Sequence, residues 1–170
     1  MLRVDLRELA RGPVETRGEL KPDDPALEGM EIQLKEPVVV GGRLQSIGEG
    51  RFYWQGTATT VIASECRRCL TPVSLPLNLQ IGALFSQDPE ALDDPDAYPV
   101  APEATEVDVT PAVREELFLA APRYALCRED CKGLCPQCGK DLNAGPCGCA
   151  PVTESRWQPL KALKDKLRSN

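Results

Sequence analysis

Eight cysteines stand in closely spaced pairs along the chain. The pairs are Cys66-x₂-Cys69, Cys127-x₃-Cys131, Cys135-x₂-Cys138 and Cys147-x-Cys149. Two thiolates this close in sequence can both reach one ion at about 2.3 Å, the zinc–sulfur distance, without straining the backbone. The spacing therefore predicts metal sites built from sulfur alone.

The clearest of these sites lies between residues 135 and 149. Pro136 fixes the turn between Cys135 and Cys138, and Gly139 allows a left-handed residue just past the second ligand. Residues 140–146 are short and rich in turn formers, so they can fold back and deliver the last pair of cysteines. This segment predicts a compact, zinc-ribbon-like site with four cysteine ligands.

The other four cysteines make a second possible tetrad, in which Cys66 and Cys69 meet Cys127 and Cys131 from farther along the chain. Such a zinc ion would staple the N-terminal half to the C-terminal part. Spacing alone also permits Cys131 to exchange with its neighbours. A redox pair at Cys66-x₂-Cys69 is the alternative, although no thioredoxin-like βαβ pattern surrounds it.

The chain has no histidine. This excludes Ser-His-Asp and Cys-His nucleophilic sites and the histidine-based zinc sites of common hydrolases. Sites closed by four cysteines leave no open position for a substrate, so we expect two structural Zn²⁺ ions, no catalytic residues and no small-molecule substrate. If the cysteines are not structural metal ligands, the alternative is a thiol-based redox or metal-responsive protein.

The first residues, MLRVDLRELARG, contain no apolar run typical of a signal peptide, and no stretch approaches the ~18 apolar residues of a membrane helix. We therefore expect a cytoplasmic protein with no membrane partner. Thiols stay reduced in the cytoplasm, which favours metal binding over disulfides.

The N-terminal half, residues 1–86, predicts an antiparallel β-meander or a small barrel. Val38–Val40 followed by Gly41-Gly42 is typical of a two-residue hairpin. Residues 51–63 are rich in aromatic and β-branched side chains, and residues 73–81 alternate apolar with polar. Pro76 cannot donate to a ladder, which places that last strand at an edge or at a bulge.

The C-terminal half begins with an acidic, proline-rich stretch, residues 87–108, which predicts a solvated linker. Thr110 is predicted to cap a helix, Pro111 suits its first position, and Pro122 ends the element. A helix plus the zinc-binding ribbon should fill residues 109–150. Residues 151–170 predict an amphipathic helix with Leu160, Leu163 and Leu167 on one stripe. The fold class is α+β.

The charge is unevenly placed. The chain carries a net charge of −6; residues 83–122 hold 1 basic and 10 acidic residues, a net charge of −9, and residues 123–170 hold 9 basic and 5 acidic, a net charge of +4. The basic part could meet RNA phosphates, with Tyr124 or Trp157 stacking on an unpaired base. The candidate RNA contacts are Arg67, Arg68, Arg128, Lys132, Lys140, Lys161, Lys164 and Arg168. The alternative is that the arginines merely balance the thiolates and that Trp157 packs in the core.

A zinc-ribbon nucleic-acid-binding regulator is a further alternative. Such a protein needs a recognition helix or a dense basic patch, and the sequence offers neither.

Three motifs together resemble one known family: Cys66-Arg67-Arg68-Cys69-Leu70, the helix ending in Ala121-Pro122, and the run CREDCKGLCPQCGKDLN over residues 127–143. The chain resembles the bacterial YceD-like family, which is named for accumulation of the large-subunit ribosomal RNA. The resemblance implies a non-enzymatic, cytoplasmic role in making or stabilising 23S ribosomal RNA. We therefore expect a factor for the large subunit that contacts ribosomal RNA or a large-subunit ribosomal protein. Glu154-Ser155-Arg156 departs from the Asp-Pro-Arg usual in the family.

Overall fold

The computed structural model describes residues 2–48, 50–88 and 97–150. The strands are β1 (Arg3–Asp5), β2 (Val14–Leu20), β3 (Gln33–Leu34), β4 (Val38–Gly48), β5 (Arg51–Glu65), β6 (Pro72–Ser86), β7 (Ala97–Pro99) and β8 (Glu106–Asp108). The helix α1 spans Thr110–Ala120, and short 3₁₀ helices span Glu8–Arg11 and Pro25–Leu27. This part of the chain is therefore mostly sheet, with one α-helix, as the α+β class requires.

The main sheet has the strand order β2-β4-β5-β6-β7, and β3 pairs with the end of β5. Every pairing in it is antiparallel except that of β6 with β7. The strands β4, β5 and β6 form the predicted meander. Among the described strands the order is an open path, not the closed circle of a barrel. At Pro76, β6 pairs with β5 on one side, and no described strand pairs with it on the other side. The predicted edge position of Pro76 is therefore confirmed.

The hairpin predicted at Gly41-Gly42 is wrong, because β4 runs straight through both residues. A Cβ atom on Gly42 would lie 2.7 Å from the Gly56 Cα and 2.8 Å from a carbon of the Trp54 indole. The glycine is therefore needed for the close approach of β5, not for a turn. The true turn joins β4 to β5, where Gly48 and Gly50 have φ values of 157° and 65°.

Parts of the stretch predicted as a solvated linker form strands instead. Residues 97–99 pair with β6, and residues 106–108 pair with β1. Val107 is buried, and its neighbours alternate with it in exposure, so even an acidic segment gains a buried apolar face. Residues 89–96 of this stretch lie outside the described residues.

The core lies between the main sheet and α1. Trp54 is fully buried, and its Nε1 donates a 2.8 Å hydrogen bond to the Thr16 hydroxyl on β2. Helix α1 adds Ala112, Val113 and Leu117 to the same core. Thr110 is not the cap predicted from sequence: its N–H donates to the Asp108 carboxylate over 2.9 Å.

The amphipathic helix predicted for residues 151–170 lies outside the described residues. Within the described ranges, none of the helices has both the length and the apolar character to cross a membrane.

Candidate metal centre

The structure gathers the cysteine side chains into two groups, each with its sulfur atoms within 4.8 Å of one another. We call Cys66, Cys69, Cys127 and Cys131 the core cluster. Cys135, Cys138, Cys147 and Cys149 form the ribbon cluster. These are the two sets of four that the spacing predicts, and Cys131 does not exchange with a neighbour.

The first half of the core cluster is the tight turn that joins β5 to β6. The Cys66 N–H donates to the Thr71 carbonyl over 2.9 Å, and the Leu70 N–H returns to the Cys66 carbonyl over 2.8 Å. Leu70 adopts the left-handed φ of 60°, rare for a residue that is not glycine. This turn brings Cys66 and Cys69 to the same side of the sheet end.

The second half of the core cluster follows α1. The Arg67 N–H donates to the Ala125 carbonyl over 2.9 Å, which fixes the incoming chain against the turn. Cys66 then lies 3.7 Å from Cys131, measured between sulfur atoms, and Cys69 lies 3.6 Å from Cys127. The side chains of Val73, Leu126 and Leu134 pack around the buried sulfurs. The core cluster therefore joins the sheet to the segment beyond the helix.

The ribbon cluster is built on a short hairpin. The Cys135 N–H donates to the Lys140 carbonyl over 2.8 Å, and the Gly139 N–H donates back to the Cys135 carbonyl over 2.9 Å. Gly139 has a φ of 70°, as expected for the residue just past the second cysteine. Residues 140–146 then fold back and place Cys147 and Cys149 beside the first pair.

The donor geometry of the core cluster fits a tetrahedral ion. Four sulfurs at about 2.3 Å from a zinc ion lie about 3.8 Å from one another, and the two sulfur pairs in the core cluster are 3.7 and 3.6 Å apart. A disulfide would need a sulfur–sulfur distance of about 2.0 Å. All eight cysteines are free thiols in the structure.

The first cysteine of each Cys-x₂-Cys turn accepts backbone hydrogen bonds at sulfur. Burial opposes ionisation of Cys66, but the N–H groups of Cys127, Cys69 and Arg68 outweigh it and lower the Cys66 pKa to about 6. The N–H groups of Cys138 and Gln137 likewise lower the pKa of Cys135 to about 6. Both turns thus stabilise a thiolate, which is the form that binds metal.

One thiol in each cluster has its pKa shifted the other way. Burial, with the neighbouring thiols, raises the pKa of Cys127 to about 12. The Cys138 thiol is the main cause that raises the pKa of Cys149 to about 12. Four adjacent sulfurs cannot all ionise without a cation among them, so the full thiolate sets fit a bound divalent ion.

Asn143 is a site residue that the cysteine spacing does not indicate. Its Nδ2 donates to the Cys131 sulfur over 3.4 Å, although Asn143 stands in the loop of the ribbon cluster. Burial works against ionisation of Cys131, but this bond and the Gly133 N–H lower the Cys131 pKa. An asparagine in a turn has no sequence signal for such a role.

The predicted RNA-contact residues differ in whether their charged groups are already bonded within the protein. Arg68 donates to backbone carbonyls, Arg128 donates to the Asn143 side chain, and Lys140 donates to the Pro146 carbonyl. Those side chains hold the clusters together. Lys132 is exposed and shows no side-chain partner within the described residues. Lys161, Lys164 and Arg168 lie outside the described residues, as does Trp157.

Arg67 and Tyr124 form an exposed cation–π pair beside the core cluster. The guanidinium carbon lies 5.1 Å from the centre of the tyrosine ring. Tyr124 is 71% exposed, so its ring contributes little to the core. The pair presents a flat, positively charged surface next to the turn of the core cluster.

Fold and site together define a β-sheet protein that carries two four-cysteine clusters. The chain belongs to the YceD family, because the family model described as "Large ribosomal RNA subunit accumulation protein YceD" matches residues 54–164. The matched range contains every cysteine of both clusters. The resemblance inferred from the cysteine motifs is therefore confirmed.

Relatives occur in bacteria and in plants. "Uncharacterized protein Rv2926c" of Mycobacterium tuberculosis is 30% identical over 120 residues, which cover 69% of this chain and 58% of the relative. "Large ribosomal RNA subunit accumulation protein YCED homolog 1, chloroplastic" of Arabidopsis thaliana is 28% identical over 142 residues, covering 66% of this chain and 44% of the relative. "Uncharacterized protein YlbN" of Bacillus subtilis is 32% identical over 113 residues, covering 65% and 64%.

The chain spans a little over half the length of the mycobacterial relatives that it matches. No solved structure matches it.

Proposed function

We propose that the protein is a non-enzymatic factor of ribosome biogenesis that supports the synthesis, processing or accumulation of 23S ribosomal RNA in the cytoplasm. The observation that carries the proposal is the match over residues 54–164 to a family named for large-subunit ribosomal RNA accumulation. The matched residues contain both clusters. The chloroplast relatives that carry the same name support it.

Each cluster holds one structural Zn²⁺ in this proposal. The support is the donor chemistry, because four sulfurs within 4.8 Å of one another suit zinc. Bound zinc would supply cross-links to segments that are too small to form an apolar core of their own. Four protein ligands leave no position on the ion for a substrate, which agrees with a non-enzymatic role.

The proposed RNA-contact surface is the exposed rim of the core cluster. Arg67 and Tyr124 offer a stacking surface for an unpaired base. Lys132 offers a phosphate an ammonium group that has no partner among the described residues. Arg68, Arg128 and Lys140 contribute charge there but have their donors engaged within the protein. We include Lys161, Lys164 and Arg168 as further contacts on sequence grounds alone.

The metal part is tested on the purified, reduced chain. We expect about two Zn²⁺ per chain, and X-ray absorption should give four sulfur neighbours at about 2.3 Å. One zinc ion per chain would contradict the two-site arrangement. A chain with disulfides and no metal would contradict zinc binding altogether.

The cellular part is tested by depletion and rescue. Depletion should lower mature 23S relative to 16S ribosomal RNA, and the wild-type chain should restore the ratio. Arg67→Glu with Lys132→Glu should restore it poorly and should reduce RNA binding and its salt dependence, while zinc content stays intact. Arg43→Glu, at an exposed position of β4, is the matched control.

If the ratio falls on depletion but charge reversal changes nothing, direct RNA contact at this rim is wrong. A large-subunit ribosomal protein docked on the acidic residues 88–108 then becomes the better partner. An unchanged ratio after depletion would contradict the proposed function itself.

A further inference from the structure

The side chain of Asn143 lies between the two clusters with every hydrogen-bonding group used. Its Nδ2 donates to the Asp141 Oδ1 over 2.7 Å and to the Cys131 sulfur over 3.4 Å. Its Oδ1 accepts from the Lys132 N–H and from the Arg128 guanidinium, both over 2.8 Å. An amide can donate twice and accept twice, so Asn143 is fully satisfied.

These partners also fix which way the amide faces. The Asp141 carboxylate accepts from both the backbone N–H and the Nδ2 of Asn143, over 2.8 and 2.7 Å. A reversed amide would set its oxygen against that carboxylate and its NH₂ group against two donors. The nitrogen is therefore held toward Cys131, and the oxygen toward residues 128 and 132 of the loop that supplies two core-cluster sulfurs.

A second set of contacts joins the same two parts. The Leu134 N–H donates to the Arg68 carbonyl over 3.0 Å, and the Leu142 N–H donates to the Gly133 carbonyl over 2.9 Å. A Cβ on Gly133 would lie 2.8 Å from the Arg68 oxygen, so only glycine allows this approach. The hairpin of the ribbon cluster thus rests directly on the Cys66-x₂-Cys69 turn of the core cluster.

The position of Asn143 depends on the closing of the ribbon. Asn143 stands between Cys138 and Cys147, and the apolar residues of the hairpin, Leu134 and Leu142, are only half-buried. A segment with so little buried apolar surface needs its metal to stay ordered. With the ribbon cluster open, the chain around Asn143 loses the cross-link that holds its amide on Cys131.

We propose that Asn143 couples the two metal sites, an inference that rests on the zinc binding proposed above. Closing the ribbon cluster on Zn²⁺ places the Asn143 amide on Cys131, and this bond tightens metal binding at the core cluster. The Nδ2 donor offsets part of the excess negative charge that four thiolates leave around a divalent ion. Because coupling between binding sites is reciprocal, filling the core cluster tightens binding at the ribbon cluster by the same factor.

The test is a double-mutant cycle on the full chain loaded with ¹¹³Cd²⁺. Each cluster should give its own ¹¹³Cd resonance, assigned by which signal disappears in Cys147→Ser/Cys149→Ser. Competition with EDTA then gives the affinity of the core cluster. Opening the ribbon cluster with Cys147→Ser/Cys149→Ser should weaken Cd²⁺ binding at the core cluster about 10- to 100-fold. This is the range typical of residues that hydrogen-bond to metal ligands. Asn143→Leu alone should produce a similar loss, and the combined variant should lose little more.

Asn143→Asp is the second variant, since it keeps the shape and places a carboxylate oxygen where the donor was. It should weaken the core cluster at least as much as Asn143→Leu. Asn78→Asp, at an exposed position of β6, is the matched control and should leave both affinities unchanged. Far-UV circular dichroism checks that the sheet of each variant is folded.

The outcomes separate the two proposals. If the chain binds two ions and ribbon opening costs the core cluster as much in the Asn143→Leu background as in the wild type, the coupling through Asn143 is wrong and zinc binding stands. If ribbon opening leaves the core affinity unchanged, the coupling is also wrong. A wild-type chain that binds no metal would overturn both proposals.

Discussion

The guanidinium of Arg68 donates a 2.8 Å hydrogen bond to the carbonyl oxygen of Cys131. Arg68 precedes helix α1 in the sequence, and Cys131 follows it. The same Nη1 donates to the Glu129 carbonyl over 3.1 Å. One side chain of the turn between β5 and β6 therefore holds the loop that completes the core cluster. Arg68 has a structural task that its position in a Cys-x₂-Cys motif does not reveal.

Replacing Arg68 should loosen the core cluster. Arg68→Met keeps the aliphatic stem and removes the donor, so two carbonyls lose a protein partner, at a cost of about 1 kcal/mol in the free energy of unfolding. EDTA should extract metal faster from the core cluster of Arg68→Met than from the core cluster of the wild type. Arg67→Met is the matched control, because the Arg67 guanidinium lies over Tyr124 and donates no hydrogen bond to the core-cluster loop within the described residues. Equal extraction rates in the two variants would contradict the role given to Arg68.

The two clusters should differ in what their loss unfolds. Cys135→Ser should expose the ribbon to trypsin at Lys132 and Lys140, because the half-buried Leu134 and Leu142 cannot replace the metal. Cys66→Ser should instead open the junction between the sheet and the segment after α1, with earlier cleavage at Arg123 and Arg128. Trypsin digestion followed by mass spectrometry distinguishes the patterns. An undisturbed ribbon in Cys135→Ser would show that metal does not hold it.

Much of the candidate site could be predicted from the sequence because ligand spacing is a local property. The short gaps within each cysteine pair allow both members to reach one ion, whatever the rest of the fold does. The alternation in β6 and the position of Pro76 are local in the same way. Asn143 could not be found so, because its partner Cys131 is reached only once both clusters close.

The missed parts of the fold depend on contacts between distant residues. The pairing of β1 with β8 joins Val4 to Val107, and neither segment shows a periodicity long enough to predict its partner. The acidic composition of residues 87–108 outweighed the single buried Val107 in the prediction. Gly41-Gly42 is locally typical of a turn, and only the close approach of β5, with the Trp54 indole, explains why position 42 is a glycine.

Two adjacent glycines of β4 should respond in opposite ways to alanine. Gly42→Ala would place a methyl group 2.8 Å from the Trp54 indole and 2.7 Å from Gly56, and such overpacking costs about 1–3 kcal/mol. Gly41→Ala meets nothing within 4 Å and should be neutral or slightly stabilising. Urea unfolding of the two variants gives the comparison. A Gly42→Ala chain as stable as Gly41→Ala would mean that β5 does not approach β4 as closely as described.

Asp108 should make part of the stability of the fold depend on pH. Partial burial opposes its ionisation, but hydrogen bonds from Thr110 and the 3.0 Å ion pair with Arg3 outweigh burial and lower the Asp108 pKa. A carboxyl whose pKa is lowered by folding stabilises the protein above its unfolded pKa of about 3.9, and the effect is lost as the pH falls through the folded pKa.

Asp108→Asn keeps an acceptor for the Thr110 N–H but removes the charge from the start of α1. Because the pair with Arg3 is largely solvated, we expect a loss of only about 0.5–1 kcal/mol at pH 7. The difference between variant and wild type should shrink as the pH falls below the unfolded pKa and through the lower, folded pKa. Urea unfolding at pH 7, 5 and 3 measures it, and metal released by acid affects both proteins alike. A difference that stays constant across this range would show that the Asp108 charge contributes nothing to the fold.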